Sequence, residues 1–116
     1  MKTSELLESA RKLIDKPEKL SKGSFAKHNN RSTYVGSEEA NRFCAIGAVK
    51  HAAAVADTVS FAAENLLDEV SFDKRGLCTI SVNDLYGHPA IMELYDEAIW
   101  RALLKEGAVF PLKESV

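Results

Sequence analysis

From Phe43 to Ala56 the chain is built almost entirely of small or apolar side chains, interrupted only by Lys50 and His51, with Gly47 set in its middle. Alanine is the strongest helix former, so this run reads as a helix, yet alanine side chains alone offer little surface to bury. Such a helix is held only if neighbours approach it closely on several sides. A glycine inside a helix costs about 1 kcal/mol relative to alanine, and a near backbone contact is the natural compensation. The rest of the chain therefore has to wrap this segment.

Two amphipathic helices are available to do so. From Thr3 to Lys16 the apolar residues Leu6, Leu7, Ala10, Leu13 and Ile14 recur at helical spacing, opposite Glu5, Glu8, Arg11, Lys12 and Asp15. Pro17 stops this helix, because it lacks an amide hydrogen and disfavours helical backbone in the residue before it. At the other end, Pro89 suits a first helical position and Gly107 a left-handed terminus. Between them Ile91, Leu94, Tyr95, Ala98, Ile99, Ala102 and Leu103 form one apolar face.

The intervening segments are shorter. Between Glu18 and Gly36 the turn formers Gly23, Asn29, Asn30, Ser32 and Gly36 interrupt any helical period. Extended pieces at Ser24–Lys27 and Ser32–Val35 are expected to form a hairpin across His28–Arg31. Ser37 followed by Glu38 and Glu39 reads as a helix start leading into the alanine-rich run. A second start at Asp57 or Thr58 leads through Asp68, with Val59, Ala62, Ala63, Leu66, Leu67 and Val70 as its core stripe. After Gly76 the alternation from Leu77 to Val82 reads as one strand, and Asn83-Asp84 as the turn that follows it. The expectation is a mainly α (α+β) fold of about four helices with a small β hairpin or short strands. Residues 1–116 make one compact domain, with 108–116 a looser tail that packs Val109, Phe110 and Leu112.

At 116 residues the chain supports one core and buries roughly two-thirds of its unfolded surface. Its 46% hydrophobic and 28% charged residues are those of an ordinary globular protein. A net charge of -2 supplies no field for gathering a phosphate backbone, so non-specific nucleic-acid binding is not expected. No apolar run approaches the ~20 residues that span a bilayer and no secretory leader is visible, so a cytoplasmic protein without membrane contact is expected. The two cysteines, Cys44 and Cys78, read as free thiols of a reducing compartment.

Chemistry-bearing residues concentrate in two places. Cys44 lies near a helix start beside Arg42, where a thiol can be activated as a nucleophile. His51 cannot serve it as a base within one straight helix, since the two are separated by an axial rise of ~10 Å. His28 or His88 reach Cys44 only through the tertiary fold. The second place runs from Asn83 and Asp84 to His88, where turn formation and capping account for the residue types. Asp84 and His88 lack the further Cys or His ligands that a metal needs, and no phosphate-binding glycine loop or serine elbow occurs. No cofactor and no metal are expected.

These two stretches, preceded by Gly23 and followed by Tyr95-Asp96-Glu97-Ala98-Ile99, resemble in order and spacing a family of small uncharacterised domains of bacteria and their phages. In that family a glycine-containing segment precedes a Cys-Ala-Ile-Gly-Ala helix start, and an Asn-Asp turn precedes the last helix. The resemblance covers roughly residues 20 to 100. It departs where the family carries tryptophans, at Leu20 or Ser21 and at Val82. It implies a shared fold and a mobile-element setting, and carries over no catalytic residue.

Three functions follow as expectations. The first is a non-enzymatic binding or accessory protein, phage- or mobile-element-encoded, acting on a host protein such as a defence component. The second is a small cysteine-dependent hydrolase or transferase in which Cys44 attacks, assisted by a histidine such as His88 and by Asn83 or Asp84. The third is a sponge for a small nucleotide signal, held by Lys22, Lys27, Arg31 and Arg42. The alanine-rich helix and Trp100, read as core or interface, make a homodimer an expected assembly.

Overall fold

The computed structural model describes residues 1–108, so the expected packing of Val109, Phe110 and Leu112 lies outside the described residues. Among them are five α-helices and a small sheet: α1 (Thr3–Leu13), β1 (Ala26–His28), β2 (Arg31–Ser32), β3 (Arg42–Phe43), α2 (Ala45–Val55), α3 (Phe61–Arg75), α4 (Thr79–Tyr86) and α5 (His88–Lys105). The mainly helical class with a small β component is borne out.

The alanine-rich helix sits where its composition demands. In α2, Ala45, Ile46, Gly47, Ala48, Val49, Ala52 and Ala53 are all buried, so apolar side chains surround it on most of its circumference. Gly47 allows the closest approach: a Cβ there would stand 1.7 Å from the Phe25 carbonyl oxygen. Only a hydrogen fits that space, which explains why a poor helix former occupies mid-helix.

Helix α1 covers α2, and α5 packs across α1, α3 and α4, each with the stripe read from the sequence. Leu6, Leu7, Ala10 and Ile14 are buried, as are Ile91, Leu94, Tyr95, Ala98 and Ala102. Full burial of each of the leucines and isoleucines contributes roughly 1.5–3 kcal/mol against exposure. Helix α1 ends at Leu13, short of the expected Lys16, and Pro17 opens a single 3₁₀ turn, Pro17–Lys19. Helix α5 has Pro89 in its first turn and Gly107 at φ +83°, as expected. Beyond it, the Glu106 carboxylate reaches the start of α1, accepting the Ser4 amide at 3.1 Å and the Ser4 hydroxyl at 2.5 Å. Arg101 ties α5 to α3 through Asp73 at 2.7 Å, beside its own-helix partner Glu97 at 2.9 Å. Trp100 is 37% exposed.

The hairpin is shorter than expected and has a third strand. Strand β1 pairs antiparallel with β2 on one side and β3 on the other. Asn29 and Asn30 take φ values of +48° and +68°, the left-handed pair that a two-residue hairpin turn requires. Strand β3 overturns the helix start at Ser37. Arg42 and Phe43 are extended and paired with β1, so the helix cannot begin before Ala45. The Ser37 hydroxyl instead accepts the Glu39 amide at 3.2 Å within a local turn.

Two further expectations are corrected. Helix α3 begins at Phe61 rather than after Asp57, because Asp57 adopts φ +52° and breaks the helical path. Val59, assigned to the core, is 74% exposed, and Ala62 is exposed as well, whereas Ala63, Leu66, Leu67 and Val70 are buried. The strand expected at Leu77–Val82 is not formed: Thr79 opens α4, its amide capped by the Asp68 carboxylate at 2.9 Å. Thr79, Val82 and Asn83 then fall at helical spacing on one buried face, which outweighs the alternating pattern. Asn83 and Asp84 consequently belong to a helix, not to a turn.

Candidate functional site

Helix α4 delivers Asn83 to the start of α2. Its Oδ1 accepts the Ala45 amide at 2.9 Å, and its Nδ2 donates to the Ser21 carbonyl at 2.8 Å and to Asp84 Oδ1 at 3.1 Å. Asn83 is fully buried, so one side chain ties the first loop, α2 and α4 together inside the core. From the other side the Tyr95 hydroxyl donates to the Ala45 carbonyl at 2.6 Å. Burial, with the neighbouring charges of Cys44 and Glu64 adding to it, holds the Tyr95 phenol well above its ordinary range.

Cys44 caps α2. Its backbone is extended, and Sγ accepts the Gly47 amide at 3.3 Å, satisfying one of the free donors of the first turn. The thiol is 5% exposed, and its pKa is raised, first by burial and further by the charge of Asp84. Cys78 is the opposite case. It precedes α4 and is half-buried, and hydrogen bonding to the Ser81 hydroxyl at 3.3 Å lowers its pKa.

A cleft of about 310 Å³ opens over this junction, lined by Gly23, Ser24, Phe25, Cys44, Ile80 and Asp84. Three separate segments build it: the loop ahead of β1, the start of α2 and the outer face of α4. Phe25 and Ile80 are 43% and 44% exposed on its walls, and Asp84 is exposed beside them. The Lys50 ammonium, itself paired with Glu64, lies 5.2 Å from the Phe25 ring centroid and holds that ring in place.

Residues 1–102 match a family of unknown function, DUF6197. The chain belongs to that family. No curated protein and no solved structure matches this DUF6197 member. Membership agrees with the expected kinship to small uncharacterised domains.

The structure brings Cys44, Asn83 and Asp84 together and leaves the histidines elsewhere. Each histidine hydrogen-bonds a backbone carbonyl: His28 Nδ1 that of Glu39 at 2.7 Å, His51 Nδ1 that of Val35 at 2.6 Å, and His88 Nε2 that of Ile14 at 2.8 Å. A ring nitrogen facing a carbonyl must carry the proton, so in each ring that nitrogen is a donor. His51 also packs on Phe43 with ring centroids 4.6 Å apart. None of the three is a hydrogen-bond partner of Cys44.

The basic set is divided by the sheet. Lys27 and Arg42 are register partners and share one face, whereas Arg31 pairs with His28 and points to the other. Arg42 donates to Asn30 Oδ1 at 2.6 Å and to the Leu20 carbonyl at 3.0 Å, bracing the hairpin. Lys22 and Arg31 are exposed. None of these four side chains lines the cleft over Cys44. Among the described residues no group of three or more His, Cys, Asp or Glu can hold a metal, and no helix is long and apolar enough to cross a membrane.

Sequence reasoning flagged Cys44, Asn83 and Asp84 but not Ser21, Phe25, Ile80 or Tyr95. Phe25 carried no signal of its own, since it falls within the extended piece expected at Ser24–Lys27. Ile80 carried none, since it was read as part of a strand.

Proposed function

We propose that the chain is a non-enzymatic binding module whose contact surface is the rim of the cleft over Cys44. In this reading it is a phage- or mobile-element-encoded accessory protein that acts in the cytoplasm on a host protein such as a defence component. The observation that carries it is how the polar groups are used. Asn83 has both ends of its amide engaged in the core, Cys44 caps α2, and Tyr95 holds Ala45. What the cleft offers to solvent is Phe25 and Ile80, two large apolar side chains, with one carboxylate beside them. Apolar anchors edged by a polar group are the composition of a contact surface. A buried thiol with a raised pKa and no histidine partner favours this reading over nucleophilic chemistry.

The test compares the wild-type chain with the Phe25→Asp/Ile80→Asp double variant as baits in a bacterial lysate. The expected result is a reproducible partner retained by the wild type and lost by the variant, with circular dichroism confirming that both are folded. A partner that binds both equally, or none at all, overturns the proposal. Assembly into a homodimer through the same surface is the competing outcome, read by sedimentation velocity at two protein concentrations.

A further inference from the structure

We propose that the cleft between Phe25, Cys44, Ile80 and Asp84 receives an arginine or lysine side chain presented by a partner protein; this rests on the binding-module reading and adds the chemistry of the residue recognised. Asp84 carries the one charge among the residues that line the cleft. The Asp84 carboxylate is exposed, accepts one hydrogen bond, from the Asn83 amide at 3.1 Å, and makes no ion pair among the described residues. On α3 and α5, Glu64, Glu69, Asp73, Glu93, Asp96 and Glu97 each face a lysine or arginine within 4.0 Å and Asp68 caps Thr79; Asp84 shares its lack of an ion pair with carboxylates such as Glu8 and Asp57 and differs from them in lining the cleft. Asp84 is thus a carboxylate beside an apolar cleft that lacks a cation.

The shape and lining select what supplies it. A volume of about 310 Å³ is at the lower end of the range, roughly 300–1,000 Å³, in which small groups are enclosed. Its walls are apolar at Phe25 and Ile80, and its floor is the Cys44 thiol. A side chain with an apolar stem and a cationic head satisfies both parts at once. A purely apolar occupant would strip water from Asp84 without replacing it, and an anion would be repelled. The start of α2, whose positive end would attract an anion, is already answered there, with the Ala45 amide on Asn83 and the Gly47 amide on Cys44. The charge of Asp84 is felt at the floor, where it adds to the rise in the Cys44 pKa. A protein is the fitting source, because a free small cation would leave the exposed faces of Phe25 and Ile80 uncovered.

The test is a titration of the full ¹⁵N-labelled chain with the capped tripeptide acetyl-Leu-Arg-Leu-amide, its neutral citrulline counterpart, and n-butylguanidinium. Shifts are expected at Gly23, Ser24, Ile80 and Asp84, with the arginine peptide binding roughly tenfold more tightly than the citrulline peptide and more tightly than butylguanidinium. Asp84→Asn, which keeps the acceptor for Asn83, is expected to erase the difference between arginine and citrulline. Equal affinity for the two peptides, shifts centred elsewhere, or butylguanidinium binding as well as the peptide would each overturn it. If lysate capture depends on Phe25 and Ile80 while the peptides show no charge preference, this inference fails and the binding-module reading stands. If the peptides bind as expected but no partner is captured, the cleft's recognition of a cationic side chain stands and the choice of a host protein as its source falls.

Discussion

Asn83 stands on α4, far along the chain from Ala45, yet its side-chain oxygen lies 2.9 Å from the Ala45 amide and its nitrogen 2.8 Å from the Ser21 carbonyl. One amide side chain thereby supplies an acceptor and a donor to two backbone groups that have no water to turn to. Removing it would leave both unsatisfied. Asn83→Ala is expected to lower stability by about 2–4 kcal/mol, the sum of two buried unmet groups. Urea unfolding followed by fluorescence measures this, and a loss under about 0.5 kcal/mol would show that the junction relaxes without the amide.

Tyr95 gives the same junction an alkaline limit. Its phenol is protonated in the fold above the pH at which an unfolded tyrosine, with a reference pKa of 10.0, ionises. The folded state then holds more protons than the unfolded one, so the contribution is complete below about pH 10 and declines as pH rises above it, by at most about 1.4 kcal/mol per pH unit. Tyr95→Phe is expected to reduce stability at neutral pH by about 1 kcal/mol, through loss of the buried hydrogen bond to an Ala45 carbonyl that the helix itself still satisfies, and to flatten the decline above pH 10. A series of unfolding midpoints from pH 8 to 11 reports both effects.

Gly47→Ala reverses the sign that helix propensity assigns to it. Alanine would gain about 1 kcal/mol within a free helix. Here the added carbon meets the Phe25 carbonyl at 1.7 Å, and backbone has to move. The variant is expected to lose about 2 kcal/mol or more in net stability and to shift the amide signals of Phe25 and Ala26, since overpacking forces displacement. A variant as stable as the wild type would mean that this loop is not fixed against α2.

The two thiols are expected to react in the order set by their surroundings. Cys78, half-buried with a lowered pKa, should be alkylated by iodoacetamide at neutral pH at least ~10-fold faster than Cys44, which is buried with a raised one. Ser81→Ala should slow the reaction at Cys78, because it removes the first cause of the lowered pKa. Peptide mass spectrometry over a time course resolves the two sites, and faster labelling of Cys44 would revive the nucleophile reading.

The parts of this fold that were legible in the sequence are those in which local signals and burial agree. Pro89, Gly107 and the stripe from Ile91 to Ala102 all point to one helix, and Gly47 declared its close contact by its cost. Legibility failed where a tertiary partner decided the outcome. Leu77–Val82 alternates like a strand, but the Asp68 cap on Thr79 is contributed by α3 and is invisible locally. Ser37 looks like a helix cap, but pairing of β3 with β1 moves that role to Cys44. The cleft was out of reach for the same reason. Phe25, Cys44 and Ile80 share no local period and meet only because Gly47 draws the first loop onto α2 and Asn83 draws α4 to the same point.

The contact between Ser4 and Glu106 joins helices made at different times. Helix α1 is made well before α5, while the carboxylate that accepts its Ser4 amide lies just past the end of α5 and the stripe it packs against lies on α5. The stripe of α1 that faces α5 therefore stays uncovered until α5 has been made, although α1 can already pack on α2. Until then that apolar stripe is open to whatever chaperone meets the growing chain.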